Sequence, residues 1–277
     1  MTPIQTARMT QLLSQVTAMP KEELLWMLEA LTGQKAAHFM ASESVSLSNE
    51  AAATLEAWVA RRLKHEPLAY ILGNQPFYGL TITVNASCLI PRASTECMVD
   101  FVLNQYPEGH LKVADLGTGS GAIAAALATH RPTWHIDAVD KSEASLAVAR
   151  MNLDPFPQVQ LMHGDWCEGL PAHGYDIIIA NPPYVSEAEY MQSQESLCYE
   201  PRSALVSDHE GLSDGEAIAI GAAGCLRHGG CLVLEHGWTQ QPALMDMLKA
   251  QGYHHISGHL DYGGHPRFIS AKGSYDA

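Results

Sequence analysis

Val113-Ala-Asp-Leu-Gly-Thr-Gly-Ser-Gly121 is the part of the sequence most informative about the fold. It lies where a predicted strand over 111–116 is followed by a predicted helix over 122–129. Glycines permit positive φ angles and let a ligand approach the backbone closely, and the free N–H groups of the following helix add the positive end of a dipole. The spacing departs from the dinucleotide pattern Gly-x-Gly-x-x-Gly, because Ala122 takes the sixth position. The stretch therefore predicts a nucleotide-type loop after a strand.

Strands and helices alternate outward from this loop. Strands are predicted over 111–116, 134–140, 159–162, 175–180 and 231–235, with an antiparallel pair over 254–261 and 267–271, and helices over 95–106, 122–129, 142–152, 215–226 and 241–251. This alternation predicts a doubly wound α/β fold with a seven-stranded, mostly parallel sheet. The apolar run over 175–180 is typical of a central parallel strand. Ligands bind such sheets beyond the C-terminal ends of the strands.

The chain before this pattern has a different character. Leucines recur with helical spacing after Pro20, and Ser48 is a good N-cap for a further helix. No strand pattern is visible there, which predicts a small all-helical domain over 1–72. Alternation over 80–84 and again over 88–90, around a polar turn, predicts a β-hairpin linker within 73–94. The α/β domain would then occupy 95–277.

Acidic residues follow three successive strands of the predicted sheet. Asp115 precedes the loop, where a carboxylate would repel a pyrophosphate but suits a cationic ligand. Asp140 can accept both hydroxyls of a ribose, Asp165 can accept from an exocyclic amine, and Trp166 offers a stacking face. Singly, these residues also fit helix-dipole and core positions, but their joint placement favours a cofactor with a sulfonium, an ammonium and no phosphate. We therefore expect S-adenosylmethionine to be bound by Asp115, Gly117, Thr118, Gly119, Ser120, Gly121, Asp140, Asp165, Trp166 and Asn181.

A second motif, Asn181-Pro182-Pro183-Tyr184, directly follows the fourth strand. The Asn181 side-chain oxygen and the Pro182 carbonyl can accept from the two hydrogens of a planar NH₂ group, and Tyr184 can pack on that group. The prolines restrict φ and donate no N–H, so the backbone presents its acceptors in a rigid geometry. The motif predicts methyl transfer to an amide or aryl-amine nitrogen, with these four residues binding the substrate and carrying the chemistry.

With these motifs the chain resembles the HemK/PrmC family of release-factor glutamine methyltransferases. The resemblance also rests on Glu66–Gly73, Phe77–Gly79, Leu89–Arg92, Glu200-Pro201, Glu235–Gly237 and Asp261–Gly263 through Arg267. It implies methylation of the glutamine nitrogen in the Gly-Gly-Gln loop of class-1 peptide release factors, and a helical N-terminal domain that helps to dock that substrate. The chain departs from the family at Ala93-Ser94, although Thr95-Glu96 remains, and in the Glu210–Gly215 segment.

The net charge of the chain bears on which functional hypotheses remain. The 277 residues carry 16 basic and 30 acidic side chains, for a net charge of −14, which disfavours an enzyme that grips nucleic-acid phosphates. A nucleic-acid adenine or cytosine amino-methyltransferase is still the second hypothesis, since it would share the Asn-Pro-Pro-Tyr logic, and a dinucleotide-binding protein is the third. Arg61, Arg62 and Lys64 form the one dense basic cluster, which we interpret as a solvated helix face. We expect a cytoplasmic monomer with reduced cysteines, no metal site, no membrane association and no direct nucleic-acid partner.

Overall fold

The computed structural model describes residues 4–8, 19–41, 44–106, 109–193 and 197–273. The chain divides into two compact units, Met1–Gly73 and Asn74–Ala277. Each unit has its own core of buried apolar side chains. Within the described ranges, no helix is both long enough and apolar enough to cross a membrane.

The first unit is mainly helical, as predicted. Its helices are α1 (Lys21–Thr32), α2 (Ala36–Met40), α3 (Asn49–Arg62) and α4 (Leu68–Leu72). Gly33 ends α1 in the left-handed conformation, and the Ser48 hydroxyl accepts from Ala51 N at 3.1 Å to cap α3. The core of this unit includes Leu24, Met27 and Leu28 from α1, Leu55 from α3, and single buried residues from α2 and α4.

The expectation that this unit contains no strand is wrong. Strand β1 (Ile4–Arg8) pairs antiparallel with β2 (Ser44–Ser48). Ser44–Ser48 does alternate, with Val45 and Leu47 buried between exposed or half-buried serines. A five-residue alternation is too short to stand out against the neighbouring helices, and its partner lies about forty positions away in the chain.

A β-hairpin opens the second unit, but its pairing differs from the prediction. Strand β3 (Asn74–Phe77) pairs with β4 (Leu80–Thr83), and 88–90 forms no strand. Tyr78 and Gly79 both have positive φ, 48° and 77°, as a two-residue type I′ hairpin turn requires. The polar segment after β4 is a separate turn, in which Cys88 N donates to Asn85 O at 3.2 Å.

The large sheet has seven strands, as predicted. Its strands are β5 (Lys112–Leu116), β6 (His135–Asp140), β7 (Val159–His163), β8 (Tyr175–Ala180), β9 (Leu226–Glu235), β10 (His254–Leu260) and β11 (Pro266–Lys272). They are arranged in the order β10-β11-β9-β8-β5-β6-β7. The pairs from β7 to β9 are parallel, whereas β11 is antiparallel to both of its neighbours.

Helices flank this sheet. They are α5 (Ala93–Gln105), α6 (Ala122–His130), α7 (Glu143–Leu153), α8 (Glu187–Gln192), α9 (Ser213–Cys225) and α10 (Gln241–Ala250), with shorter helical turns at Arg202–Ala204 and Asp208–Gly211. The order of the sheet reverses at β5, because β6 lies on one side of it and β8 on the other. The loops after β5, β6, β7 and β8 therefore meet at one edge of the sheet, where ligands of such folds bind.

Candidate active site

The Asp115 carboxyl group stabilises the glycine loop after β5 through hydrogen bonds. This residue is fully buried, and its Oδ2 accepts from the Thr118 hydroxyl at 2.6 Å and from Ala124 N at 3.2 Å. Burial raises the pKa of Asp115 to about 7, although these two donors lower it. Asp115 does not line the cavity in front of the loop. In the structure, Asp115 therefore stabilises the glycine loop. The predicted contact between Asp115 and a cofactor stays a prediction.

Gly117 and Trp166 form a close contact across the site. Gly117 has φ of 68°, and a Cβ at this position would lie 2.9 Å from Cζ3 of the Trp166 ring. Any larger residue would therefore meet both backbone strain and the indole. Trp166 follows β7, as the sequence predicts, and its ring lines the cavity.

Asp140, at the end of β6, joins two segments of the site. Its Oδ2 accepts from Gly119 N and its Oδ1 from Ser142 N, each at 2.8 Å. Burial raises the pKa of Asp140, and the two backbone N–H groups oppose that rise. Each carboxylate oxygen has a second lone pair, so the side chain can bind two ligand hydroxyls while it holds the loop.

One cavity runs along this edge of the sheet. Of the predicted residues, it is lined by Gly117, Thr118, Gly119, Ser120, Asp140, Asp165, Trp166, Asn181 and Pro183. Asp115, Gly121, Pro182 and Tyr184 lie outside the lining of this cavity. Asp165 is half exposed, and its carboxylate lies 3.8 Å from Lys141 Nζ.

Sequence reasoning missed several other residues that line this cavity. They include Phe77, Ser87, Cys88, Leu89, Pro91, Thr95, Pro201, Ser203 and Ala204. The signal was present, because the family resemblance rests partly on Phe77–Gly79, Leu89–Arg92 and Glu200-Pro201. These motifs meet in space: Glu200 accepts from Ile90 N at 3.0 Å and pairs with the Arg92 guanidinium.

Asn181 stands at the boundary of this cavity and a second, smaller one. The second cavity is lined by Leu89, Arg92, Asn181, Pro182, Tyr184, Val185, Leu197, Ala204 and Leu205. The Asn181 amide nitrogen donates to Thr95 Oγ1 at 3.3 Å. Its Oδ1 is buried and has no hydrogen-bond partner among the described residues. A buried acceptor without a partner is costly, and here it is available to a donor that enters the site.

Tyr184 is fixed by contacts to three other segments. Its hydroxyl donates to Glu235 Oε1 at 3.3 Å, and its carbonyl accepts from Gln240 Nε2 at 2.8 Å. Gly211 packs so closely on this carbonyl that a Cβ there would lie 2.1 Å from the oxygen. The segment around Gly211, where the sequence departs from the family pattern, therefore supports the Asn-Pro-Pro-Tyr turn.

The glycine loop and Asp140 suit a ligand with ribose hydroxyls, and the unpartnered Asn181 oxygen beside them suits an NH₂ group. In a seven-stranded sheet of this order, that combination defines a methyltransferase that uses S-adenosylmethionine.

Comparison with known proteins then identifies the family. The "PrmC N-terminal domain" profile matches residues 6–73 and the "Methyltransferase small domain" profile matches residues 93–210. A curated release factor glutamine methyltransferase of Coxiella burnetii is 38% identical over 96% of this chain and 97% of its own length. The Escherichia coli protein of the same name is 34% identical over 91% and 92%. The chain belongs to this family of release factor glutamine methyltransferases.

The solved structures agree with the fold. A methyltransferase of Pyrococcus furiosus has a TM-score of 0.54 and 18% identity, and the match covers 78% of this chain and 97% of that one.

Proposed function

We propose that this protein transfers the methyl group of S-adenosylmethionine to the side-chain amide nitrogen of the glutamine in the Gly-Gly-Gln loop of class-1 peptide release factors. The observation that carries the proposal is the buried Asn181 Oδ1, which lacks a partner among the described residues and lies at the cofactor cavity. An amide NH₂ group supplies the donor that this oxygen needs. The curated relatives that span nearly the whole chain bear the name of this activity.

Residues that follow the C-terminal ends of β5, β6 and β7 would bind the cofactor. Asp140 would accept from the ribose hydroxyls, Asp165 would accept from the adenine amine, and Trp166 would pack against the base. The loop of residues 117–121 would border the amino-acid portion of the cofactor. Within this loop, the N–H groups of Thr118, Gly119 and Gly121 already donate to Val139 O, Asp140 Oδ2 and Thr118 O. When bound, the cofactor supplies an electrophilic methyl group.

The Asn-Pro-Pro-Tyr turn supplies the chemistry at nitrogen. An amide nitrogen is a weak nucleophile because its lone pair is delocalised. Asn181 Oδ1 and the Pro182 carbonyl accept from its two hydrogens, which holds the nitrogen in place and favours its pyramidal form. Such positioning contributes up to about 7–11 kcal/mol. The nitrogen becomes cationic as the bond forms, so both acceptors bind the transition state more tightly than the ground state.

A strong general base is not needed in this scheme, because the methylated cation is very acidic and loses its proton afterwards. The glutamine side chain would approach through the smaller cavity, where Tyr184 packs on the flat amide. Since Asn181 lines both cavities, it lies where nitrogen and methyl group would meet.

The first unit would dock the release factor, since no cluster of catalytic carboxylates or amides is seen among its described residues. We further propose that the protein acts as a cytoplasmic monomer and needs no nucleic acid. The basic cluster of Arg61, Arg62 and Lys64 supports the absence of a nucleic-acid partner, because Arg61 pairs with Glu66 at 2.5 Å and Arg62 with Glu23 at 2.6 Å. Two of the three cations are thus already paired within their own unit.

The experiment is incubation with methyl-labelled cofactor and a purified class-1 release factor, followed by mass mapping of the label. The matched control is the same release factor with Glu in place of the Gly-Gly-Gln glutamine. We expect label on the wild-type glutamine and none on the control. Label on a nucleic acid, with the release factor unlabelled, would reject the proposal in favour of an amino-methyltransferase of bases.

A further inference from the structure

We propose that Glu235, acting through the Thr95 hydroxyl, fixes the orientation of the Asn181 amide and so keeps the Asn181 oxygen on the side of the reacting nitrogen. The inference rests on the proposed function and adds two positioning residues to it. Neither residue needs to touch the substrate nitrogen.

The first step concerns the amide itself. The oxygen and nitrogen of an asparagine amide are nearly equal in size, and rotation by half a turn exchanges them. In one orientation the substrate NH₂ meets an acceptor. In the other it meets an NH₂ group, and two sets of donors face each other. Catalysis at nitrogen therefore depends on a device that holds the amide one way round.

Thr95 alone does not provide that device. It lies in the first turn of α5, is buried, and accepts from Asn181 Nδ2 at 3.3 Å. A hydroxyl has one hydrogen and two lone pairs, so it would accept equally well from the amide nitrogen or donate to the amide oxygen. A third group is therefore needed to set the direction of the single hydroxyl hydrogen.

Glu235 is placed to set the direction of the Thr95 hydroxyl hydrogen. The residue is 1% exposed at the end of β9, and its Oε1 accepts from the Tyr184 hydroxyl. Helix α5, which carries Thr95, packs against β9, which ends at Glu235. The buried Oε2 of Glu235 has no hydrogen-bond partner among the described residues and is the acceptor that the Thr95 hydroxyl would use. In agreement, the Thr95 hydroxyl lowers the pKa of the Glu235 carboxyl. An ionised carboxylate only accepts. It therefore draws the Thr95 hydrogen, which leaves only lone pairs for Asn181 and turns its nitrogen toward Thr95.

The charge of Glu235 sets the condition for this arrangement. Burial raises the pKa of Glu235 to about 7. The opposing effects, which lower this pKa, come from Thr95, Arg267, Tyr184 and Arg92. Below that pH the carboxyl gains a proton and itself becomes a donor. The Thr95 hydroxyl is then free to turn toward Asn181, and both orientations of the amide become accessible.

The first test compares Thr95→Val, which keeps the shape and removes the hydroxyl, with Thr95→Ser, which keeps the hydroxyl. Single-turnover methylation is measured at saturating cofactor and release factor, and cofactor Kd is measured by calorimetry because Thr95 also lines the cavity. We expect Thr95→Ser to retain most of the rate. Thr95→Val should lose between about 10-fold and the 10²–10³-fold typical of a lost transition-state acceptor, with Kd unchanged. Equal rates in the two variants would overturn the inference.

The pH profile of the single-turnover rate tests Glu235 separately. We expect the wild-type rate to rise as pH increases through about 7, and Glu235→Gln, which cannot ionise, to lack that step. A step that persists in Glu235→Gln would contradict the role of this carboxylate.

A third measurement does not require activity. In the NMR spectrum of the wild-type protein, the Asn181 side-chain NH₂, assigned by its loss in Asn181→Ala, should show a nuclear Overhauser effect to the Thr95 methyl group. Absence of this contact would reject the inference even if no release factor were methylated. Presence of the contact without methylation would instead reject the proposed function alone.

Discussion

Replacing Asp140 with alanine should weaken cofactor binding strongly, because this carboxylate would hold both ribose hydroxyls. Each hydrogen bond to a charged acceptor contributes about 1.5–3 kcal/mol. Part of that is recovered when water solvates the freed groups, so we expect a net loss of roughly 2–4 kcal/mol. That corresponds to an increase in Kd of about 30- to 1000-fold, since 1.4 kcal/mol is tenfold.

The structure adds a second consequence. Asp140 also accepts from Gly119 N and Ser142 N, so alanine releases both the glycine loop and the start of α7. Asp140→Asn separates the two effects. Its single side-chain oxygen can satisfy one of these N–H groups but cannot also accept from two ribose hydroxyls, so its Kd should lie between those of the wild type and Asp140→Ala.

The assay is calorimetric titration with S-adenosylmethionine, with thermal unfolding as a check on the fold. Asp165→Ala is the matched control, because Asp165 lies two residues after the neighbouring strand β7 and is half exposed beside Lys141. Its loss should be smaller than that of Asp140→Ala. A folded Asp140→Ala protein that binds the cofactor with wild-type affinity would refute the assignment of the ribose site.

Three further outcomes follow from the same geometry. Asn181→Ala should slow single-turnover methylation by about 10²–10³-fold with little effect on the fold, and near wild-type turnover would overturn the mechanism at nitrogen. Residues 74–277 alone should bind the cofactor as the full chain does but methylate an intact release factor more slowly; a folded truncation that loses the cofactor would disprove this division of labour. Between about pH 4 and pH 7, the folded chain retains a proton on Asp115 that the unfolded chain has already released. The unfolding free energy of the wild type should therefore fall by roughly 3–4 kcal/mol, relative to that of Asp115→Asn, as pH rises from about 4 to above 7. Urea unfolding of both proteins at about pH 5 and about pH 8 checks this, and parallel pH profiles would contradict it.

The local features of the site were predictable from the sequence. The glycine loop, the Ser142 cap of α7 and the buried strand β8 all appear where residue pattern placed them. Each is determined by the conformational preferences of a few consecutive residues. The positions of Asp140, Trp166 and Asn181 at the ends of β6, β7 and β8 follow as well, because parallel strands present their carboxyl ends at one edge.

Pairing between distant segments could not be predicted from local residue patterns. The hairpin partner of β4 lies before it and not after it, because Tyr78-Gly79 forms the tight turn. Strand β2 pairs with β1 near the N-terminus, a partner that no local pattern indicates. In both cases the alternation of residues predicts a strand, but it does not determine which other strand will satisfy its backbone hydrogen bonds.

The same division applies to the chemistry. Residue pattern alone predicts that a binding loop, an acidic strand end and Asn-Pro-Pro-Tyr share one edge of an α/β sheet. Only the tertiary structure placed Thr95 against Asn181, 86 positions away, and Glu235 against Tyr184, 51 positions away. Residue type determines which hydrogen bonds a side chain can make, whereas the packing of α5, β8 and β9 determines which of them form. In this protein that packing leaves the oxygen of Asn181 without a partner among the described residues and therefore available to a substrate.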